Sequence, residues 1–184
     1  MSRHVRIDLP DPCLVVLVGA AGSGKSTFAA RHFRDGDVLS SDAYRESISG
    51  DAADQRATGR AFAALHRDVR ERLAAGRLTV VDATSVTARG RASLVRIART
   101  AGVPAIAIVL APPAEVVLAR NAGRSGRTVP ASVVLRHLAD LERSRRGAGI
   151  EAEGFASVTV LGGPDGDRAD DVAVLVGGRT SPRA

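Results

Sequence analysis

The only lysine among 26 basic side chains is Lys25, and it stands in the run Gly19-Ala20-Ala21-Gly22-Ser23-Gly24-Lys25-Ser26-Thr27. Every other basic side chain is arginine, as if arginine served wherever a cation was needed except here. A compact ammonium on a thin stem lies along a glycine loop and meets phosphate oxygens, where a wide guanidinium does not. The spacing Gly-x-x-x-x-Gly-Lys-Ser is that of a phosphate-cradling loop. Backbone N–H groups of Gly19, Gly22, Ser23, Gly24 and Thr27 would surround the phosphates, Lys25 would reach the outer ones, and the Ser26 hydroxyl would meet Mg²⁺. The pattern predicts a nucleoside triphosphate site.

Further candidates carry the rest of a phosphotransfer. Asp42 in Ser40-Ser41-Asp42 suits a general base that takes a proton from an attacking hydroxyl held in line with the γ-phosphate. It equally suits a helix start, where an aspartate caps or favours the dipole, and Ser41 could be that cap instead. Arg45, one turn later, would steer Asp42, hold an acceptor phosphate, or form a surface ion pair. Asp82 follows an apolar run and suits direct or water-mediated Mg²⁺ binding, with a turn or capping aspartate as the alternative. Arg120, Arg124 and Arg127, set among glycines, suit a mobile lid that would neutralise charge on the transferred group, or a solvated basic helix end. The four histidines show no metal-ligand spacing and receive no role.

These residues need a scaffold. Leu14 to Val18 is apolar and β-branched, as expected of a buried parallel strand, and Ser26 to Phe33 follows as a helix whose N-terminus faces the anion. Strands are predicted at 37–40, 78–82, 104–110 and 158–161. Helices are predicted from about Ala43, over 54–75, 87–101, 113–121 and 131–146. Such alternation predicts an α/β fold, an open parallel sheet of about five strands in which ligands gather at the strands' C-terminal ends. At 184 residues the expectation is a single domain, with an N-terminal extension (1–12) and a Gly-rich acidic tail (162–184) that ends in an edge strand at Val172 to Val176.

Net charge is +6, with four arginines and no acid over 89–99 and three over 120–127. A basic surface beside a phosphate site suits a polyanion, although arginines on solvated helix faces would read the same way. Aromatics are few, which argues against an extended base-stacking platform. A single Cys13 excludes a disulfide within the chain, and no apolar run is long enough for a signal peptide or a membrane span. The expectation is a soluble, cytoplasmic protein of undetermined oligomeric state.

The ordered motifs resemble the polynucleotide 5′-kinase family, in particular the kinase domain of bacterial polynucleotide kinase-phosphatases. They are Gly22-Ser23-Gly24-Lys25-Ser26-Thr27, Val38-Leu39-Ser40-Ser41-Asp42 with Arg45, Asp54-Gln55 with Ala57-Thr58, Thr79-Val80-Val81-Asp82-Ala83-Thr84, Arg120-Asn121 with Arg124, and Glu153-Gly154-Phe155. The resemblance runs from about residue 13 to 161 and implies ATP- and Mg²⁺-dependent phosphorylation of the 5′-hydroxyl of RNA or DNA. It makes Asp42 the base, Arg45 an acceptor-phosphate contact, and Lys25, Arg120 and Arg124 the transition-state cations. Ser85 stands where the family often has Asn, and no phosphatase or ligase segment follows. A small-molecule kinase acting on an antibiotic, nucleoside or sugar hydroxyl is therefore the second expectation. A nucleotide-binding regulatory module is the third.

Overall fold

The computed structural model describes residues 5–50, 58–124, 128–162 and 172–180. Its centre is a five-stranded, wholly parallel sheet. The strands are β2 (Leu14–Val18), β3 (Val38–Ser40), β4 (Thr79–Asp82), β5 (Ala105–Leu110) and β6 (Ser157–Leu161), in the order β3-β4-β2-β5-β6. The helices between them are α1 (Lys25–His32), α2 (Ser41–Ser49), α3 (Thr58–Ala74), α4 (Ala88–Thr100), α5 (Ala114–Ala122) and α6 (Ala131–Ser144).

β2 and β5 are buried at every position, which explains their unbroken apolar sequence. Alternate side chains go to opposite faces. Leu14, Val16 and Val18 pack with Leu65, Val69 and Leu73 of α3 and Leu94, Ile97 and Ala98 of α4. Val15 and Leu17 pack with Cys13 and with Phe28, Ala29 and Phe33 on the α1 side. Cys13 is a free, fully buried thiol whose pKa burial pushes up to about 12. Among the described residues no helix is long and apolar enough to cross a membrane.

The two ends of the chain depart from expectation. Val5–Leu9 forms a strand, β1, within what reads as an N-terminal extension, and it runs parallel to β7 (Val172–Val176). Its signal is period two: Ile7 and Leu9 are buried, while Arg6 and Asp8 pair on the outer face at 2.9 Å. β7 is not an edge strand of the main sheet. It lies in the middle of a separate three-stranded sheet, between β1 and the short β8 (Arg179–Thr180). Ile7, Leu9, Val172 and Val174 join the α1-side core, so apolar contact, not backbone pairing, attaches this sheet to the main one.

Candidate active site

The phosphate loop leaves β2 and turns into α1 at the C-terminal end of the sheet. Two of its glycines are demanded by space. A Cβ on Gly19 would lie 2.5 Å from Ser23 Oγ and 2.7 Å from the Leu110 carbonyl. Gly22 has φ +89°, and a Cβ there would lie 2.6 Å from the Val117 carbonyl of α5. Ser23 is buried beneath the loop and its Oγ has no partner among the described residues. Gly19 and Ser23 thus shape the loop from behind, while Gly22, Gly24, Lys25, Ser26 and Thr27 line a cavity of about 790 Å³.

Lys25 is the first residue of α1 and is only 8% exposed. Its Nζ donates to the Gly19 carbonyl at 2.9 Å and the Ala20 carbonyl at 2.8 Å. Burial lowers its pKa from 10.5 to about 8; the Arg124 charge adds to that shift and the Asp82 charge opposes it. An arriving triphosphate would replace two neutral acceptors with anionic ones and draw the proton back.

Asp82 ends β4 in register with Leu17 on one side and Ser40 on the other, so parallel pairing brings the three strand ends to one rim. It is buried and lines the same cavity as Ser26 and Ser41. The donor chemistry fits Mg²⁺. A hydroxyl and a carboxylate are hard oxygen donors, and no group of three or more His, Cys, Asp or Glu suited to a metal exists among the described residues. Mg²⁺ bound through one or two side chains, with waters and phosphates completing its shell, needs no such cage.

At the start of α2, Ser40 occupies the N-cap position without a side-chain capping bond, and Ser41 is already helical. Asp42 falls in the first turn and forms an ion pair with Arg45. That pair is not a surface one, since Arg45 is 7% exposed. A buried guanidinium thus pairs with a more exposed carboxylate, and both line the cavity.

The arginines after β5 converge on the same space. A Cβ on Gly24 would lie 3.7 Å from Arg120 Nη1, which puts that guanidinium over the loop. Arg124 also lines the cavity. Arg127 lies outside the described residues, as do Asp54, Gln55 and Ala57. Asn121 is buried between them: its Nδ2 donates to the Val129 carbonyl at 2.7 Å, and its Oδ1 accepts from the Val129 N–H at 3.2 Å. Both halves of one amide thereby close the loop that carries Arg124.

Several lining residues were not among the candidate site residues, although Thr58 stands in one of the family motifs and Arg89 in the basic run of 89–99. Thr58, Phe62 and His66 project from α3, Arg89 and Ser93 from α4, and Arg136, His137 and Asp140 from α6. The i, i+4 spacing of Thr58, Phe62 and His66 was the available hint, but it reads equally as a packing stripe. His66 has its pKa lowered by burial and then by the charges of Arg70 and Arg96.

A family model described as an AAA domain matches residues 14–147, most of the chain. Among solved structures, one chain of the Pnkp1/Rnl/Hen1 RNA repair complex is similar at 26% identity and TM-score 0.65, over 73% of this chain and 45% of that one. This chain thus spans less than half the length of that relative. A sugar kinase from Janibacter sp. HTCC2649 is similar at 25% identity and TM-score 0.54, over 82% of this chain and 84% of that one. Kti12 from Chaetomium thermophilum, solved with ADP-AlF3, shares the fold at 17% identity and TM-score 0.59, over 86% of this chain and 93% of that one. No curated protein matches. The family match covers most of the chain and the parallel sheet carries a phosphate loop at its rim: this chain belongs to the AAA domain family and has the α/β fold of a P-loop NTPase.

Proposed function

We propose that the chain is a polynucleotide 5′-hydroxyl kinase that moves the γ-phosphoryl group of ATP to the 5′-OH end of RNA or DNA. The observation that carries this reading is the part of the cavity lining that α3 and α4 contribute. Phe62 and His66 line it from α3, and Arg89 and Ser93 from α4. Arg70 and Arg96 stand one turn farther out, both exposed and both close enough for their charges to depress the His66 pKa. Cations that continue past the reacting hydroxyl suit an acceptor with further phosphates. The likeness to the RNA repair complex supports the same class.

In this reading Asp42, oriented by Arg45, accepts the proton of the 5′-hydroxyl as its oxygen bonds to the γ-phosphorus. The bond to the β–γ bridging oxygen breaks, leaving ADP and a 5′-phosphate. Lys25, Arg120 and Arg124 spread the charge that gathers on the transferred group and the leaving oxygen. Mg²⁺, held by Ser26 and Asp82, would neutralise the β- and γ-phosphate oxygens.

The test is transfer of labelled γ-phosphate to short 5′-OH RNA and DNA strands. Asp42→Asn should lower kcat by about 10³-fold and leave the ATP Kd within about twofold. Full activity in that variant removes Asp42 as the base. Arg70→Ala with Arg96→Ala should flatten the salt dependence of strand binding, by about 0.7 in log–log slope for each lost phosphate contact. Label on a sugar or nucleoside hydroxyl and on no strand would transfer the reading to a small-molecule acceptor, which the likeness to a sugar kinase keeps in view.

A further inference from the structure

Arg91 belongs to the basic run of α4, yet its side chain is 0% exposed. Its Nε donates to Glu153 Oε2 at 2.6 Å and its Nη2 to Glu153 Oε1 at 2.5 Å. Its third arm, Nη1, donates to the Ser85 carbonyl at 2.8 Å. A planar fork with two arms on a carboxylate and one on a backbone carbonyl has its geometry set on all sides.

Ser85 is the one described non-glycine residue with positive φ, at 46°. This left-handed conformation is costly for serine and persists only when surroundings enforce it. Its neighbours are tied as well. The Thr84 carbonyl accepts from the Gly19 N–H at 3.0 Å, the Val86 carbonyl accepts from Ser144 Oγ at 2.9 Å, and the Thr87 hydroxyl caps α4. All four residues from 84 to 87 line the cavity, on the wall that continues from Asp82. Glu153 ends a 3-10 turn (Ile150–Glu153) whose Ile150 is buried in the α3/α4-side core, along with Phe155 beyond it.

We propose that the buried Arg91–Glu153 pair is a positioning device: it holds Ser85 in its left-handed turn and so fixes the 84–87 wall against which the acceptor is presented to Asp42. Neither residue touches the reacting atoms. Both act through the backbone of the wall, and the same wall reaches the phosphate loop through Thr84 and Gly19. That the wall serves the acceptor rests on the polynucleotide reading above; that the pair sets the wall does not.

Two measurements on the full chain separate these parts. In amide hydrogen exchange, Glu153→Gln should speed the 83–87 peptide by about tenfold or more while α1 and α3 keep their rates. In strand phosphorylation, the same variant should raise the KM for a 5′-OH RNA strand about tenfold, with the KM for ATP within about twofold. Adding Ser85→Gly, which accepts positive φ without strain, should recover at least about a third of either loss. Glu153→Asp keeps the charge but shortens the reach. It should give the same pattern at smaller amplitude, so the result does not hang on the neutral variant folding. Val174→Ala empties the core on the α1 side of the sheet, which holds no wall residue; it should lower thermal stability and change neither readout.

Wild-type exchange at 83–87 in both Glu153 variants would overturn the proposal. So would exchange raised evenly across the chain, or the same pattern from Val174→Ala. A wild type that phosphorylates no strand refutes the polynucleotide reading alone. A local exchange change reversed by Ser85→Gly would then still support the positioning role.

Discussion

The wall after β4 and the proposed lid at the end of α5 line one cavity, both built around arginine, and they use it in opposite ways. In the wall, Arg91 is fully buried, its three donor arms spent on Glu153 and Ser85, and four consecutive residues are tied to other elements. In the lid, Arg120 and Arg124 are exposed and have no hydrogen bond or ion pair with any described residue, and Asn121 is what binds their loop. The difference separates structural from chemical arginine. A guanidinium whose donors are all satisfied inside the protein sets backbone geometry. One left unsatisfied at a phosphate loop retains its attraction for an anion that has yet to arrive.

Substitutions on the two sides should therefore fail differently. The largest effect is expected from Arg120→Ala with Arg124→Ala, which should cut kcat by about 10³-fold or more. The melting temperature should stay within about 1 °C, since exposed, unpaired side chains contribute little to stability. A large drop in melting temperature would erase the contrast. Next comes Arg91→Ala, which strands a largely buried carboxylate and should cost about 3–5 kcal/mol in urea unfolding. Retention of wild-type stability would mean that Glu153 finds water or another partner.

The smallest effect is a shift in pH dependence, through which the lid acts on the loop. With Lys25 near pKa 8 in the nucleotide-free protein, ATP binding above that pH must take up a proton. Affinity should fall as pH rises beyond about 8, by up to about tenfold per unit. Arg124→Ala removes a neighbouring cation, so the Lys25 pKa rises and the fall begins at higher pH; calorimetry in buffers of different ionisation enthalpy reads both. The sign for folding is opposite. From about pH 8 towards 10.5 the unfolded chain keeps the lysine proton that the native state has lost, so this group's contribution to stability grows as pH rises.

The loop proposed to bind phosphate was legible because its geometry is local. Gly19 to Thr27 is one continuous stretch, with a buried strand before it and a helix start after it, and nine residues carry their own backbone geometry. The end of β4 that bears Asp82, and the helix start just past β3 that bears Asp42, were legible too, since in a parallel sheet the C-terminal ends of strands must share a rim. The N-terminal strand was not, because five residues of alternating character make a strand only when a partner is present, and β7 lies more than 160 residues away. The role of Arg91 was hidden for the same reason: Glu153 is 62 positions along the chain, and composition shows only a basic helix.

Local pattern along the chain sufficed for the phosphate loop, the parallel sheet and the order in which catalytic candidates reach its rim. Each follows from spacing within one element or from the handed geometry of strand–helix alternation. Three-dimensional packing was needed to show which arginines are spent inside the protein and which line the cavity, why Ser85 takes a left-handed turn, and that Asn121 bonds to Val129 at the base of the arginine-bearing loop. These depend on pairs of groups far apart in the chain, whose meeting is set by packing around the core, and burial then determines whether a charge is a brace or a ligand site.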